Sequence, residues 1–207
     1  MRSLFVVSLP RSLSTRVYDL ARRCLGLREP VWTSDGEILN LDRYALLADE
    51  VPFDALKFTH PKREPERFGR LLAFVDQVAR PEGFAYKDVV QPFVMAEWLP
   101  GSGLAVLKIE RPVADVAWAM IEQGWLYPAR LSAAGAGPGG DGARPPERAL
   151  IEGLVKAEIA LAELPGATVR FDDLVRGPES LQAALAALYD GAAATVPDYL
   201  DDDFEKV

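Results

Sequence analysis

Arg11, Ser12, Ser14, Thr15 and Arg16 put two guanidinium groups and three hydroxyls into one short stretch of the chain. All five side chains donate hydrogen bonds, and arginine makes paired, charge-assisted bonds to phosphate or sulfate oxygens. The stretch is therefore a candidate anion site, and its flanks indicate what positions it. Leu4 to Val7 are bulky or β-branched and short enough for a buried strand, whereas Val17, Leu20, Ala21, Cys24 and Leu25 recur at helical spacing. The junction lies near Pro10 to Thr15. A helix starting there aims its first-turn N–H groups and the positive end of its dipole at the place the side-chain donors occupy.

The run Pro10-Arg11-Ser12-Leu13-Ser14-Thr15 resembles the phosphosulfate loop of the sulfotransferases that use 3′-phosphoadenosine-5′-phosphosulfate (PAPS), which reads Pro-(Lys/Arg)-Ser-Gly-(Ser/Thr)-Thr after the first strand. The departure is Leu13 at the glycine position. Glycine permits unusual backbone angles and close approach to an anion, so leucine is expected to narrow or reshape the cradle. A nucleotide-hydrolysing P-loop is the competing pattern. Laid on Ser8 to Thr15, Gly-x-x-x-x-Gly-Lys-(Ser/Thr) keeps only Thr15; both glycines and the lysine are gone. The resemblance implies that Arg11, Ser12, Leu13, Ser14, Thr15 and Arg16 bind PAPS as co-substrate, with no metal required.

Later stretches carry the resemblance further. Arg28-Glu29-Pro30 leaves helical pattern at the proline, and Glu29-Pro30 is similar to a Glu-Pro that bacterial members carry near the acceptor side, which implies Glu29 as a general base. His60 is the only histidine, so any histidine-dependent proton transfer must use it. It stands in Lys57-Phe58-Thr59-His60, similar to a Lys-Thr-His strand end that is catalytic in some members; a surface-loop histidine is the alternative. Lys87-Asp88 ends a short strand from Gly83. By resemblance Lys87 is aimed at the transferring sulfonate, and Asp88 can cap the helix carrying Val90, Phe93, Val94 and Trp98. Leu104 to Ile109 is the clearest later strand and leads to Arg111-Pro112. The family holds the cofactor's 3′-phosphate with that arginine and a serine eight residues on. Arg111 matches, Ala119 replaces the serine and removes one donor, and Glu110 could compete for Arg111 as an ion pair. Ala167 to Phe171, then Asp172-Asp173-Leu174 and Pro178, resembles a strand ending in (Tyr/Phe)-(Glu/Asp)-Asp-Leu whose role in the family is mainly structural.

Composition bounds the rest. The 207 residues are 49% apolar and 26% charged, ordinary for one large globular domain. A net charge of −8 argues against a nucleic-acid partner, which needs a basic face to neutralise phosphates. One cysteine, Cys24, excludes an intramolecular disulfide and with one histidine leaves no conventional zinc site. No run approaches the ~18 apolar residues of a membrane span, and the chain enters a strand without signal-peptide features; a cytoplasmic location is expected. No fixed-period repeat is visible.

Between the motifs, Ser34-Asp35-Gly36-Glu37 is a turn by composition, followed by re-entry into helix. Asp42 to Glu50 predicts a short helix, and Pro65 to Ala79 an amphipathic one with Phe68, Leu71, Leu72 and Val75 inward. Residues 131–146 are rich in Gly, Ala and Pro and read as a flexible loop or lid. A helix then runs from Glu147 to Leu164, and Thr195 to Val207 forms an acidic tail. Strands alternating with helices predict one domain, residues 1–207, with a parallel sheet in a three-layer α/β/α arrangement of the P-loop type, ligands lying at the strands' carboxyl ends. By resemblance the activity is sulfonate transfer from PAPS to a hydroxyl or amine of a small molecule. A sulfotransferase-like binding protein is the second reading, prompted by Leu13 and Ala119, and a P-loop phosphotransferase the third.

Overall fold

Residues of alternate parity in the first strand face two different cores, and this is what makes three layers. In the computed structural model, which describes residues 1–31, 35–39, 58–125, 146–190 and 195–197, strand β1 (Leu4–Ser8) is buried at every position. A strand covered on both faces needs no polar alternation, which is why Leu4 to Val7 read as a continuous apolar run. Strand β2 (Ala85–Asp88) pairs with one edge of β1, β3 (Ala105–Glu110) with the other, and β4 (Ala167–Arg170) lies beyond β3. The order is β2-β1-β3-β4 and all three pairings are parallel. Val6 stands level with Lys87 and with Leu107, so the carboxyl ends of β1, β2 and β3 come out side by side.

On one face, Leu4, Val6, Ala85, Ala105 and Leu107 pack with helices α1 (Ser14–Cys24) and α7 (Glu179–Leu188) through Val17, Leu20, Ala21, Leu181 and Leu185. On the other, Phe5, Val7, Tyr86 and Val106 meet helices α2 (Pro65–Val78), α3 (Pro92–Trp98), α4 (Val113–Glu122) and α5 (Pro146–Ala162), through side chains such as Leu71, Val75, Met95, Met120, Leu150 and Leu154. Each fully buried Val, Leu, Phe or Met side chain among them is worth about 1.5–3 kcal/mol over an exposed one. A single turn, α6 (Phe171–Leu174), links β4 to α7. β1 sends its helix to one face while β2 and β3 send theirs to the other. Crevices therefore open at the carboxyl end of β1, where ligands collect in open α/β sheets.

One local expectation is corrected. Asp88 does not cap the helix: its Oδ1 accepts the N–H groups of Val90 at 3.0 Å and Gln91 at 2.7 Å, closing a turn, and α3 begins only at Pro92. Residues 35–39 follow the expected turn and run as a strap along β2, with Lys87 N–H donating to Gly36 O at 2.8 Å and Ile38 N–H to Lys87 O at 3.0 Å. The free edge of β2 supplies partners for these backbone groups, and the helix expected after the turn falls on residues from 40 onward, outside the described residues. The predicted helix at 42–50, the Gly-rich stretch up to residue 145 and the acidic tail from residue 198 lie outside the described residues. Among the described residues no helix is long and apolar enough to cross a membrane.

Candidate anion site

The turn after β1 is built on two left-handed residues, Arg11 at φ 60° and Leu13 at φ 62°. Leu13 is the residue just before α1, with ψ 18° and no side-chain cap on the helix. A left-handed backbone angle, which glycine adopts without steric cost, is thus adopted here by leucine. For an L-residue it costs roughly 1–2 kcal/mol, offset by burial of the leucine side chain in the core that also holds Val17 and Leu107. The first α1 bond at this end runs from Val17 N–H to Leu13 O at 3.0 Å, so the N–H groups of Ser14 and Thr15 have no acceptor within the helix. The Ser12 hydroxyl donates back to Pro10 O at 3.4 Å and braces the turn.

Pro10 to Arg16 line one wall of a cavity of about 610 Å³, whose other walls include Tyr18, Asp35, Glu37, Lys87 and Trp125. The Arg11 guanidinium lies 5.4 Å from the Trp125 ring centroid. Its Nε is buried with no hydrogen-bond partner among the described residues. The sequence-predicted loop, Arg11, Ser12, Leu13, Ser14, Thr15 and Arg16, and the sequence-predicted Lys87 therefore share one cavity.

Lys87 is 1% exposed, at a strand end where burial alone would favour the neutral amine. Its Nζ instead donates to Glu37 Oε2 at 3.0 Å and to Asp35 Oδ2 at 3.2 Å. Burial lowers its pKa, and the charges of Glu37 and Asp35 outweigh that and raise it, so it stays an ammonium. Behind it Asp88 is fully buried, with Oδ2 lacking a partner among the described residues. Burial and then the charge of Glu37 push its carboxyl up to about 8, against the N–H groups of Gln91 and Val90 and the charge of Lys87.

The remaining sequence candidates sit elsewhere. Glu29 accepts the Tyr18 hydroxyl at 3.3 Å, and it is Tyr18 that reaches the cavity wall. Burial first and the charge of Glu29 second raise the Tyr18 pKa, so the phenol keeps its proton. His60 is outside the lining; its Nδ1 accepts Lys62 N–H at 3.2 Å and its ring meets Phe93 edge-on at 5.0 Å. Burial, with Arg63, Lys156 and Lys62 nearby, lowers its pKa. Arg111 lines a separate cavity of about 450 Å³ with Lys108 and Arg170. It donates to the Arg11 carbonyl and stacks 4.1 Å above the Phe171 ring centroid, instead of forming the ion pair that Glu110 offered. Sequence reasoning missed Asp35 and Glu37 as site residues. They read as turn-forming polar residues, and only the strap's pairing with β2 brings them to Lys87.

The fold is shared with the sulfotransferase domain from the curacin biosynthetic pathway, at a TM-score of 0.53 and 16% identity over 90% of this chain and 73% of that one. No family model matches the sequence, and no curated protein does. The likeness establishes a sulfotransferase-like α/β fold.

Proposed function

We propose that this protein transfers the sulfonate of PAPS to a hydroxyl or amine of a small molecule. The observation that carries the reading is the left-handed Leu13 at the glycine position of the phosphosulfate loop. It lets Arg11, Arg16 and the first-turn N–H groups of α1 face the same cavity as the Lys87 ammonium. In this role the loop donors hold the phosphosulfate, Lys87 balances charge growing on the bridging oxygen, and acceptor and donor are held in line. Arg111 would serve the 3′-phosphate after giving up the Arg11 carbonyl, without the hydroxyl that Ala119 lacks. Glu29 and His60, the sequence candidates for taking the acceptor's proton, stand outside the residues that line this cavity.

A binding protein without transfer chemistry is the second reading, favoured by one observation: Arg111 already has a carbonyl and a ring as partners. Calorimetry with PAPS, adenosine 3′,5′-bisphosphate and ATP tests the nucleotide preference, and transfer of labelled sulfonate separates enzyme from binder. PAPS and the bisphosphate should bind and ATP should not. Arg11→Ala should weaken PAPS binding by at least tenfold in a folded variant, the effect of losing one charge-assisted contact of roughly 1.5–3 kcal/mol. Unchanged affinity would remove the anion-loop reading.

A further inference from the structure

We propose that Glu37 is the catalytic base that takes the acceptor's proton, an assignment that rests on the sulfonate-transfer reading above. Glu37 lines the cavity that holds Arg11 and Lys87, whereas Glu29 and His60 do not. Its side chain is 16% exposed and its two oxygens have different surroundings. Oε2 accepts from Lys87 Nζ at 3.0 Å. Oε1 is buried and has no hydrogen-bond partner among the described residues. A carboxylate oxygen kept from water without a donor is costly, and an acceptor's O–H or N–H would satisfy it.

The carboxylate is also held in position. Glu37 N–H donates to Asp35 Oδ1 at 3.1 Å, and the residues on either side of Glu37 are bonded to the two backbone groups of Lys87. Base and ammonium are thus fixed against one another by the sheet, not by flexible side chains alone, as a group that must act at one reacting atom requires.

The step balances as follows. The acceptor's lone pair forms a bond to the sulfonate sulfur while the bond from sulfur to the bridging oxygen of PAPS breaks. That oxygen keeps the electron pair and leaves on adenosine 3′,5′-bisphosphate, and the acceptor's proton passes to Glu37 Oε1. Once protonated, Glu37 no longer neutralises Lys87, which keeps Asp35 as a carboxylate partner and turns more of its charge to the departing phosphate oxygen. Proton uptake and leaving-group stabilisation are coupled through the Glu37–Lys87 contact.

The test uses the full chain, labelled PAPS, and two kinds of acceptor: water, and a panel of alkyl and aryl alcohols and amines. Glu37→Gln should bind adenosine 3′,5′-bisphosphate within about twofold of the parent and lose on the order of 10²–10⁴-fold in transfer rate. Glu37→Asp keeps a carboxylate and should recover part of the lost transfer rate, and it also serves if the glutamine variant folds poorly. Transfer at the parent rate in Glu37→Gln, a Glu37→Asp variant no faster than Glu37→Gln, or a parent that binds PAPS yet transfers to neither kind of acceptor would each overturn the assignment. A parent that binds neither nucleotide would instead sink the sulfonate-transfer reading on which it stands.

Discussion

Leu13 carries two opposed energies at one residue, a left-handed backbone and a buried side chain. Truncation to alanine keeps the backbone cost and loses the burial, so Leu13→Ala should destabilise by about 2–4 kcal/mol. Glycine loses slightly more side chain but relieves the strained angle. Leu13→Gly should therefore be no less stable than Leu13→Ala, the reverse of the usual order, as read from urea midpoints of the two variants. A glycine variant clearly less stable than the alanine one would mean that φ at residue 13 is not left-handed in solution. Arg11 shares the left-handed geometry, which turns its side chain towards the Trp125 ring and shows why a motif written as residue types leaves out half of its content.

The strap of residues 35–39 is the element on which the cavity's chemistry depends. Its turn passes so close to Tyr18 that a Cβ on Gly36 would overlap the tyrosine ring, and Gly36 sits at φ 78°. Both facts require glycine at this position. Gly36→Ala should cost more than about 1 kcal/mol and lift Glu37 and Asp35 away from Lys87. The expected result is a lower melting temperature together with a transfer rate reduced as in Glu37→Gln; an alanine variant equal to the parent in both would show that the strap is not held this way. The turn at Asp88 makes the same point about elements. A residue suited by type to cap a helix instead bonds Val90 and Gln91, because two backbone donors lie within reach before the helix begins.

For the whole molecule, Asp88 ties stability to pH. Its carboxyl has an ordinary value of 3.8 when unfolded and is pushed up to about 8 in the folded chain. Between those values the folded state binds the extra proton, so this group makes the protein less stable as pH rises from about 4 to about 8. Asp88→Asn keeps an acceptor for the Val90 and Gln91 N–H groups and cannot ionise. Its stability relative to the parent should therefore improve steadily from pH 5 to pH 8 in urea titrations, and a difference independent of pH would mean that Asp88 does not hold its proton when folded. The chain's net charge of −8 adds a general repulsion with the same sign as pH rises.

Much of the fold was determined by local sequence. The apolar run of Leu4 to Val7, the helical spacing from Val17 to Leu25 and the proline starts of α2 and α3 encode elements within a few residues of themselves. Alternation of strands and helices then leaves a parallel three-layer arrangement as the way to cover both faces. The loop donors from Arg11 to Arg16 and the strand-end Lys87 were legible for the same reason, since a strand end is a position in sequence. What the tertiary structure alone decided is which side chains meet. Glu37 and Lys87 are 50 residues apart and touch because of the strap's register on β2. Glu29 turns to Tyr18, His60 to Phe93 and Lys62, and Arg111 to the Arg11 carbonyl. Side-chain partnership depends on strand order and register, quantities set by burying the whole core at once, and no short stretch of sequence carries them.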